Sequence, residues 1–184
     1  MKFGKNHSGF QIRHSSSQKK NSLPRALSVF LKAMSETRNQ TSTEHYRKLE
    51  NMYQGAPVNV YFKPSLTIGK GTSELKIEIR EDFFHAAGAT HGVVYFKAAD
   101  DAAFFAANSL VKGNFVLTST FHLTLLRPIQ SGVLTAKGSV IQNATHQIIA
   151  ESILVDEKGR EIGRGIGNFA KSTIPLTPEI GYRL

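Results

Sequence analysis

The sequence predicts an α+β domain: one antiparallel sheet and one long buried helix. Three observations predict it. From Val93 to Ala107, twelve of fifteen residues are apolar, the exceptions being Lys97, Asp100 and Asp101; a helix apolar nearly all round is a buried one. Residues 74–80, ELKIEIR, alternate strictly and read as a strand with Leu75, Ile77 and Ile79 on one face. From residue 115 onward the pattern is strand after strand, joined by short turns.

The elements follow in order. A chain of 184 residues points to one domain with room for a tail. Residues 1–40 form a basic segment, disordered or targeting-like, because Ser, Lys, Gly and His dominate its first part and leave little to bury. After Pro24, Leu27, Phe30, Leu31 and Met34 fall at helical spacing, a short amphipathic turn or two. Two readings of residues 1–33 stay open: an organellar transit peptide, or an extension ahead of an ordinary protein start at Met34. The domain proper is expected over 41–172. It begins with a helix over 43–54, capped by Thr43 or Ser42 and stopped by Gly55.

The strand over 74–80 leads through the Gly-punctuated loop FFHAAGATHG into the buried helix. In 115–126, Phe115, Leu117, Phe121, Leu123 and Leu125 alternate with Thr118, Thr120, His122 and Thr124, which predicts two distinct faces. Strands over 133–141, 147–155 and 160–170 complete an expected meander. Asp156-Glu157-Lys158-Gly159 makes a tight turn between two of them, with Gly159 supplying a positive φ. Gly163, Gly165 and Gly167 share one face of the last strand and mark either the close approach of a neighbour's backbone or bulges and twist. Residues 173–184 read as a C-terminal tail.

Composition excludes several function classes. No apolar run approaches the ~20 residues needed to span a bilayer as a helix, so no membrane partner is expected. Cysteine is absent, which removes disulfides, zinc–thiolate sites and cysteine nucleophiles. The net charge of +9 sits in the tail: residues 1–33 hold seven Lys/Arg and no acid, leaving a net of +2 for the rest. The folded part thus lacks a phosphate-binding stripe, and no nucleic-acid partner is expected. No Gly-x-Ser-x-Gly elbow appears. The histidines form no ligand-spaced cluster, so neither a metal nor another cofactor is expected. A cytoplasmic location fits the lack of cysteine, with the mitochondrial matrix as the alternative if residues 1–33 are a transit peptide.

A sheet curled around a single buried helix is the hotdog arrangement, one of a few that the pattern allows. Residues 85–109, HAAGATHGVVYFKAADDAAFFAANS, narrow the choice. This stretch resembles the PaaI-like thioesterases of the hotdog superfamily, which show His-Gly-Gly at the head of the central helix, a small-Asp step, and an Ala/Phe-rich run ending near Asn-Ser. The spacing from His91 to Asp100 matches that from the family's His to its catalytic Asp. Arg127-Pro128 and Gly132 resemble its strand-turn signature, and the likeness runs over about residues 50–172.

The resemblance implies a catalytic carboxylate at Asp100 and a backbone N–H from Gly92 for the thioester carbonyl. Thr118 falls where some relatives carry a Ser or Thr that assists the water. Two positions depart from the pattern: Val93 replaces the second Gly, and His85 replaces an Asn that commonly precedes the His by six residues. His85 and His91 are therefore candidates for positioning substrate or water. The implied reaction is hydrolysis of an acyl-CoA or related thioester, with Asp100 activating water or attacking directly. The alternatives are a hotdog dehydratase-hydratase acting on 3-hydroxyacyl or enoyl thioesters, which pairs a His with a carboxylate, and a non-catalytic acyl-CoA-sensing hotdog protein.

Elementary chemistry bears on the same residues. The first N–H groups of a helix have no intrahelical partner and lie at its positive end, a suitable place for a developing oxyanion; a glycine that merely opens the helix is the plainer reading of Gly92. Asp100 is a poor helix former in an apolar setting, where a carboxylate is costly unless paired or used. Asp101, four residues after Lys97, is the better partner for an ion pair. If Asp100 and Gly92 both act, one helix cannot bring them together, since eight residues span ~12 Å at ~1.5 Å each. A homodimer or homotetramer with a shared site is then required.

Overall fold

The computed structural model describes residues 25–184, except for the side chains of 26, 33 and 35–39. The chain divides at Glu36/Thr37 into two units. Of the first, the described part is the start of helix α1 (Arg25–Gln54), where Leu27, Phe30 and Leu31 are exposed. The basic segment over 1–24 lies outside the described residues. The helix expected to begin near Thr43 is already under way at Arg25. No Gly or Pro interrupts residues 25–54, so nothing ends the helical run, and Ser42 and Thr43 lie inside it rather than capping it.

In the second unit, α1 buries His45, Leu49, Met52 and Tyr53, a stripe at helical spacing. It ends at Gly55, whose N–H donates to the Asn51 carbonyl. A short helix α2 (Asn59–Phe62) follows. Then come β1 (Ser65–Gly69), β2 (Thr72–Glu78), α3 (Gly92–Asn108), β3 (Asn114–Leu125), β4 (Val133–Asn143), β5 (Gln147–Val155) and β6 (Glu161–Pro175). The boundary drawn at residue 172 falls inside β6.

The six strands form one antiparallel sheet in the order β1-β2-β4-β5-β6-β3, with α3 packed on one face. Among the described residues, no helix is long and apolar enough to cross a membrane. β1 escapes the sequence pattern because it has only five residues; it pairs with β2 across the two-residue turn Lys70-Gly71, where Gly71 takes φ +68°.

The expected four-strand meander is corrected. β4, β5 and β6 do run as a meander, but β3 lies at the far edge and pairs with β6, Phe121 opposite Gly167. The link from β3 to β4 is no hairpin: Leu126 N–H donates to the Ile162 carbonyl, and Thr90 N–H to the Ile129 carbonyl, drawing residues 126–132 away from a direct return.

The two-face alternation expected along β3 is also interrupted. A register shift between Thr118 and Thr120 leaves Ser119 as the extra residue of a bulge. Inward-facing positions are therefore even-numbered before it (Val116 is buried) and odd-numbered after it (Phe121 and Leu123 are half-buried).

Small residues set how closely α3 approaches the sheet. Ala98, Ala99, Ala102, Ala103 and Ala106 are fully buried. At Gly138 a Cβ would stand 2.2 Å from the Ala102 carbonyl oxygen, and that oxygen accepts from the Ser73 hydroxyl at 2.6 Å. What stands nearest to Gly165 and Gly167 is a side chain and not the expected backbone, the ring of Phe121: a Cβ would lie 2.4 Å and 2.6 Å, respectively, from its atoms.

Candidate active site

α3 opens where a tight loop returns the chain to the sheet. His91 N–H donates to the Phe83 carbonyl, and His91 then sits at the N-cap with an extended backbone. Its Nδ1 accepts from the Val93 N–H at 3.1 Å, so the imidazole performs the task that Ser or Asp usually performs. Val94 N–H donates to the His91 carbonyl. The Gly92 N–H takes part in none of these bonds and stands at the first helical position, half-exposed. His85 is exposed at the same end, its ring 6.5 Å from that of His91, with Nδ1 accepting from the Ala87 N–H.

Two turns further along, α3 passes under β3. Thr118, two residues after buried Val116 and just ahead of the bulge, faces the helix, and its hydroxyl donates to Asp100 Oδ1 at 3.1 Å. Asp101 points elsewhere. It forms the expected ion pair with Lys97 and also accepts from the Tyr53 hydroxyl at 2.6 Å. The Lys97 ammonium donates to the same hydroxyl and lies 4.8 Å from the centre of the Tyr53 ring. Burial and the Asp101 charge both push the Tyr53 phenol far above its ordinary range, so it stays protonated.

The cation is thus engaged by Asp101, and Asp100 is left with a hydroxyl. Burial, then the neighbouring Asp101 charge, push the Asp100 carboxyl up to about 6; the Thr118 hydroxyl and Lys97 oppose the rise. A carboxylate held near neutrality suits proton transfer.

Asp100, Asp101, Lys97 and Thr118 lie on a cleft of ≈ 940 Å³ whose remaining walls are largely apolar, among them Phe104, Phe115 and Leu117. Sequence reasoning missed Met52, Tyr53, Ile174 and Ile180, which also line it. They come from the end of α1, the end of β6 and the C-terminal segment, and no local motif links those stretches. Buried Asn59 lines the cleft too; its amide N–H donates to the Tyr53 carbonyl at 2.6 Å.

The structure therefore brings Asp100 and Thr118 together and groups Gly92, His91 and His85 at the other end of the same stretch of helix. None of the latter three lines the Asp100 cleft.

Comparison with known proteins matches this arrangement to a family. Residues 87–162 fit the model of the thioesterase superfamily. The domain has the hotdog fold, and its stretch over 87–162 is similar to the thioesterase superfamily. A Saccharolobus solfataricus protein named as a candidate esterase is 23% identical over 126 residues, covering 68% of this chain and 86% of its own length. A second from the same organism, named likewise, is 26% identical over 100 residues, 54% of this chain and 67% of its own.

Among solved structures, the Escherichia coli PaaI protein from the phenylacetic acid degradation operon superposes on the hotdog domain with a TM-score of 0.68. It is 18% identical, covering 74% of this chain and 99% of that one. A Haemophilus influenzae thioesterase gives 0.62 at 16% identity, covering 66% and 87%. At such identities these structures speak for the fold. The family match and the esterase relatives support a hydrolase acting on thioesters in general.

Proposed function

We propose that the hotdog domain hydrolyses an acyl-CoA-type thioester to the free acid and thiol, with Asp100 as general base. The observation that carries this reading is the Asp100–Thr118 pair: a carboxylate raised towards neutrality, spared an ion pair because Lys97 is engaged by Asp101, on a largely apolar cleft. Asp100 takes a proton from water while the water oxygen attacks the thioester carbonyl carbon. The carbonyl oxygen becomes an oxyanion held by the Gly92 N–H. Collapse of the tetrahedral intermediate breaks the C–S bond, and the thiolate leaves and takes up the proton.

Both groups sit on α3, with ~12 Å of helix between them. The oxyanion donor at each Asp100 is accordingly Gly92 of a second copy. An apolar surface surrounding Gly92 supports that reading: Val93, Phe96, Leu125 and Leu126 are all exposed, and side chains of this kind clustered on a surface favour association.

Thiol release from acyl-CoAs of graded size tests the reaction. Asp100→Asn is expected to lower kcat by ~10²-fold or more, the usual contribution of a positioned acid–base group, while Asp101→Asn loses much less. Hydration of an enoyl-CoA by the wild type without thiol release would instead establish the dehydratase-hydratase reading.

A further inference from the structure

The cleft has a direction. α3 and β3 are joined by the short turn 109–113, so the C-terminal half of α3 packs against the first half of β3. Asp100 meets Thr118, and one helical turn on, Phe104 meets Phe115 with ring centres 5.0 Å apart. Beyond Phe115, Asn114 pairs with Pro175 at the end of β6. The chain then turns back through Pro178–Ile180 and Gly181, and Ile180 and Arg183 reach the cleft lining. Asp100 and the C-terminal segment thus line one largely apolar trough from different elements, α3 and the chain beyond β6.

That segment is fastened rather than loose. Leu176 N–H donates to the Gly113 carbonyl, and the Asn51 amide donates to the Arg183 carbonyl at 2.9 Å. Gly181 takes φ +90° and lies so close to α1 that a Cβ would stand 3.2 Å from Met52 Cα. Tyr182 is held by buried His45. A carbonyl oxygen only accepts, so the His45 Nε2 that faces the Asn108 carbonyl at 3.2 Å carries the proton. His45 Nδ1 then accepts from the Tyr182 hydroxyl at 2.7 Å.

We infer that Thr177–Arg183 is the end wall of the acyl trough and that Ile180 sets the length of acyl chain accepted, with the Tyr182–His45 hydrogen bond fixing where that wall stands. The inference takes its ligand, a thioester with a flexible apolar acyl chain, from the proposed function. Ile180 is 43% exposed and makes no part of the core, so its size can change without unfolding the domain.

The experiment measures kcat/KM over a graded series of saturated acyl-CoAs for wild type, Ile180→Ala, Ile180→Trp and Tyr182→Phe. In parallel, calorimetry measures binding of the corresponding S-alkyl-CoA thioethers, which cannot be hydrolysed. Ile180→Ala should move the preferred length about two to three methylenes longer and Ile180→Trp should move it shorter. Each methylene that newly fits should improve the ratio about fourfold. Tyr182→Phe should flatten the length profile. A thioether length preference that follows Ile180, with no hydrolysis by the wild type, would uphold the end wall and remove the hydrolytic reading. A wild type that hydrolyses acyl-CoAs with a length profile identical in all three variants would overturn the end wall alone.

Discussion

Asp100 and Asp101 are chemically identical neighbours, and the helix assigns them different work. Successive residues of an α-helix point ~100° apart, so on the same cleft Asp101 turns towards Lys97 and Tyr53 while Asp100 turns towards Thr118. Their division was legible from the Lys97–Asp101 spacing. The part of Tyr53 was not, because it joins the network from 48 residues upstream. A pH dependence follows. With Asp100 titrating at about 6 instead of the ordinary 3.8, kcat/KM should rise with pH through that region and level off above it. Asp101→Asn removes a like charge and should move this limb to lower pH; Lys97→Met removes an opposing charge and should move it higher. The same shift costs stability. Because the folded state holds the Asp100 proton more tightly than the unfolded chain, stability declines as pH rises from about 4 to about 6. Asp100→Asn should therefore melt above wild type at neutral pH, by an amount of order ~1–3 kcal/mol after solvent screening, and close to it at pH ~4. Equal melting temperatures for the two proteins at neutral pH would show that the folded state does not raise this carboxyl.

At the scale of elements, α3 and the sheet meet through small residues, and two glycines test which approach matters more. A Cβ at Gly138 meets backbone, the Ala102 carbonyl at 2.2 Å, whereas one at Gly165 meets the Phe121 ring at 2.4 Å. A ring turns aside more readily than a helix moves. Gly165→Ala should cost about 1–3 kcal/mol, as overpacking commonly does, and Phe121→Leu should recover part of it. Gly138→Ala should cost more than Gly165→Ala and resist rescue by any single side-chain truncation; chemical denaturation of the variants decides it. The glycine face of β6 was legible as three alternate glycines, and Gly138 was not, because one glycine in a strand carries no period. The buried helix and five of the strands were legible from their hydrophobic pattern. β1 was too short to show one. The pairing of β3 with β6 was hidden because strand order depends on how residues 126–132 are held by Thr90 and Ile162, contacts that alternation along a strand does not encode. The bulge at Ser119 decides how the second half of β3 packs: without that extra residue, the inward positions of β3 would stay even-numbered and Phe121 would lose its place over Gly165 and Gly167.

For the whole molecule, the question is whether one chain makes a complete site. Unbroken α3 carries both groups of the proposed mechanism, the Gly92 N–H at its first residue and Asp100 eight residues on, ~12 Å apart at ~1.5 Å per residue. Both must come within ~3 Å of one carbonyl, so a site completed by two copies is the arrangement that satisfies the chemistry. Complementation tests it directly. Asp100→Asn removes the base; Gly92→Pro removes the donor and suits the local backbone. Proline is favoured at the first helical position, His91 before it is already extended (φ −64°, ψ 142°) as a residue preceding proline must be, and a Cβ at Gly92 meets only a Leu125 methyl at 3.6 Å. Each variant alone should be nearly inactive while folding and associating like wild type, which circular dichroism and sedimentation establish first. When the two are dissociated, mixed in equal amounts and reassembled, half of the dimers are mixed and one site of each mixed dimer has both groups. Activity should then return to roughly a quarter of the wild-type value, the statistical expectation for random pairing of a symmetric dimer. Failure of the mixture to exceed its components, or full activity of the wild type as a monomer, would show that the oxyanion donor lies within the same chain as Asp100 and is not Gly92.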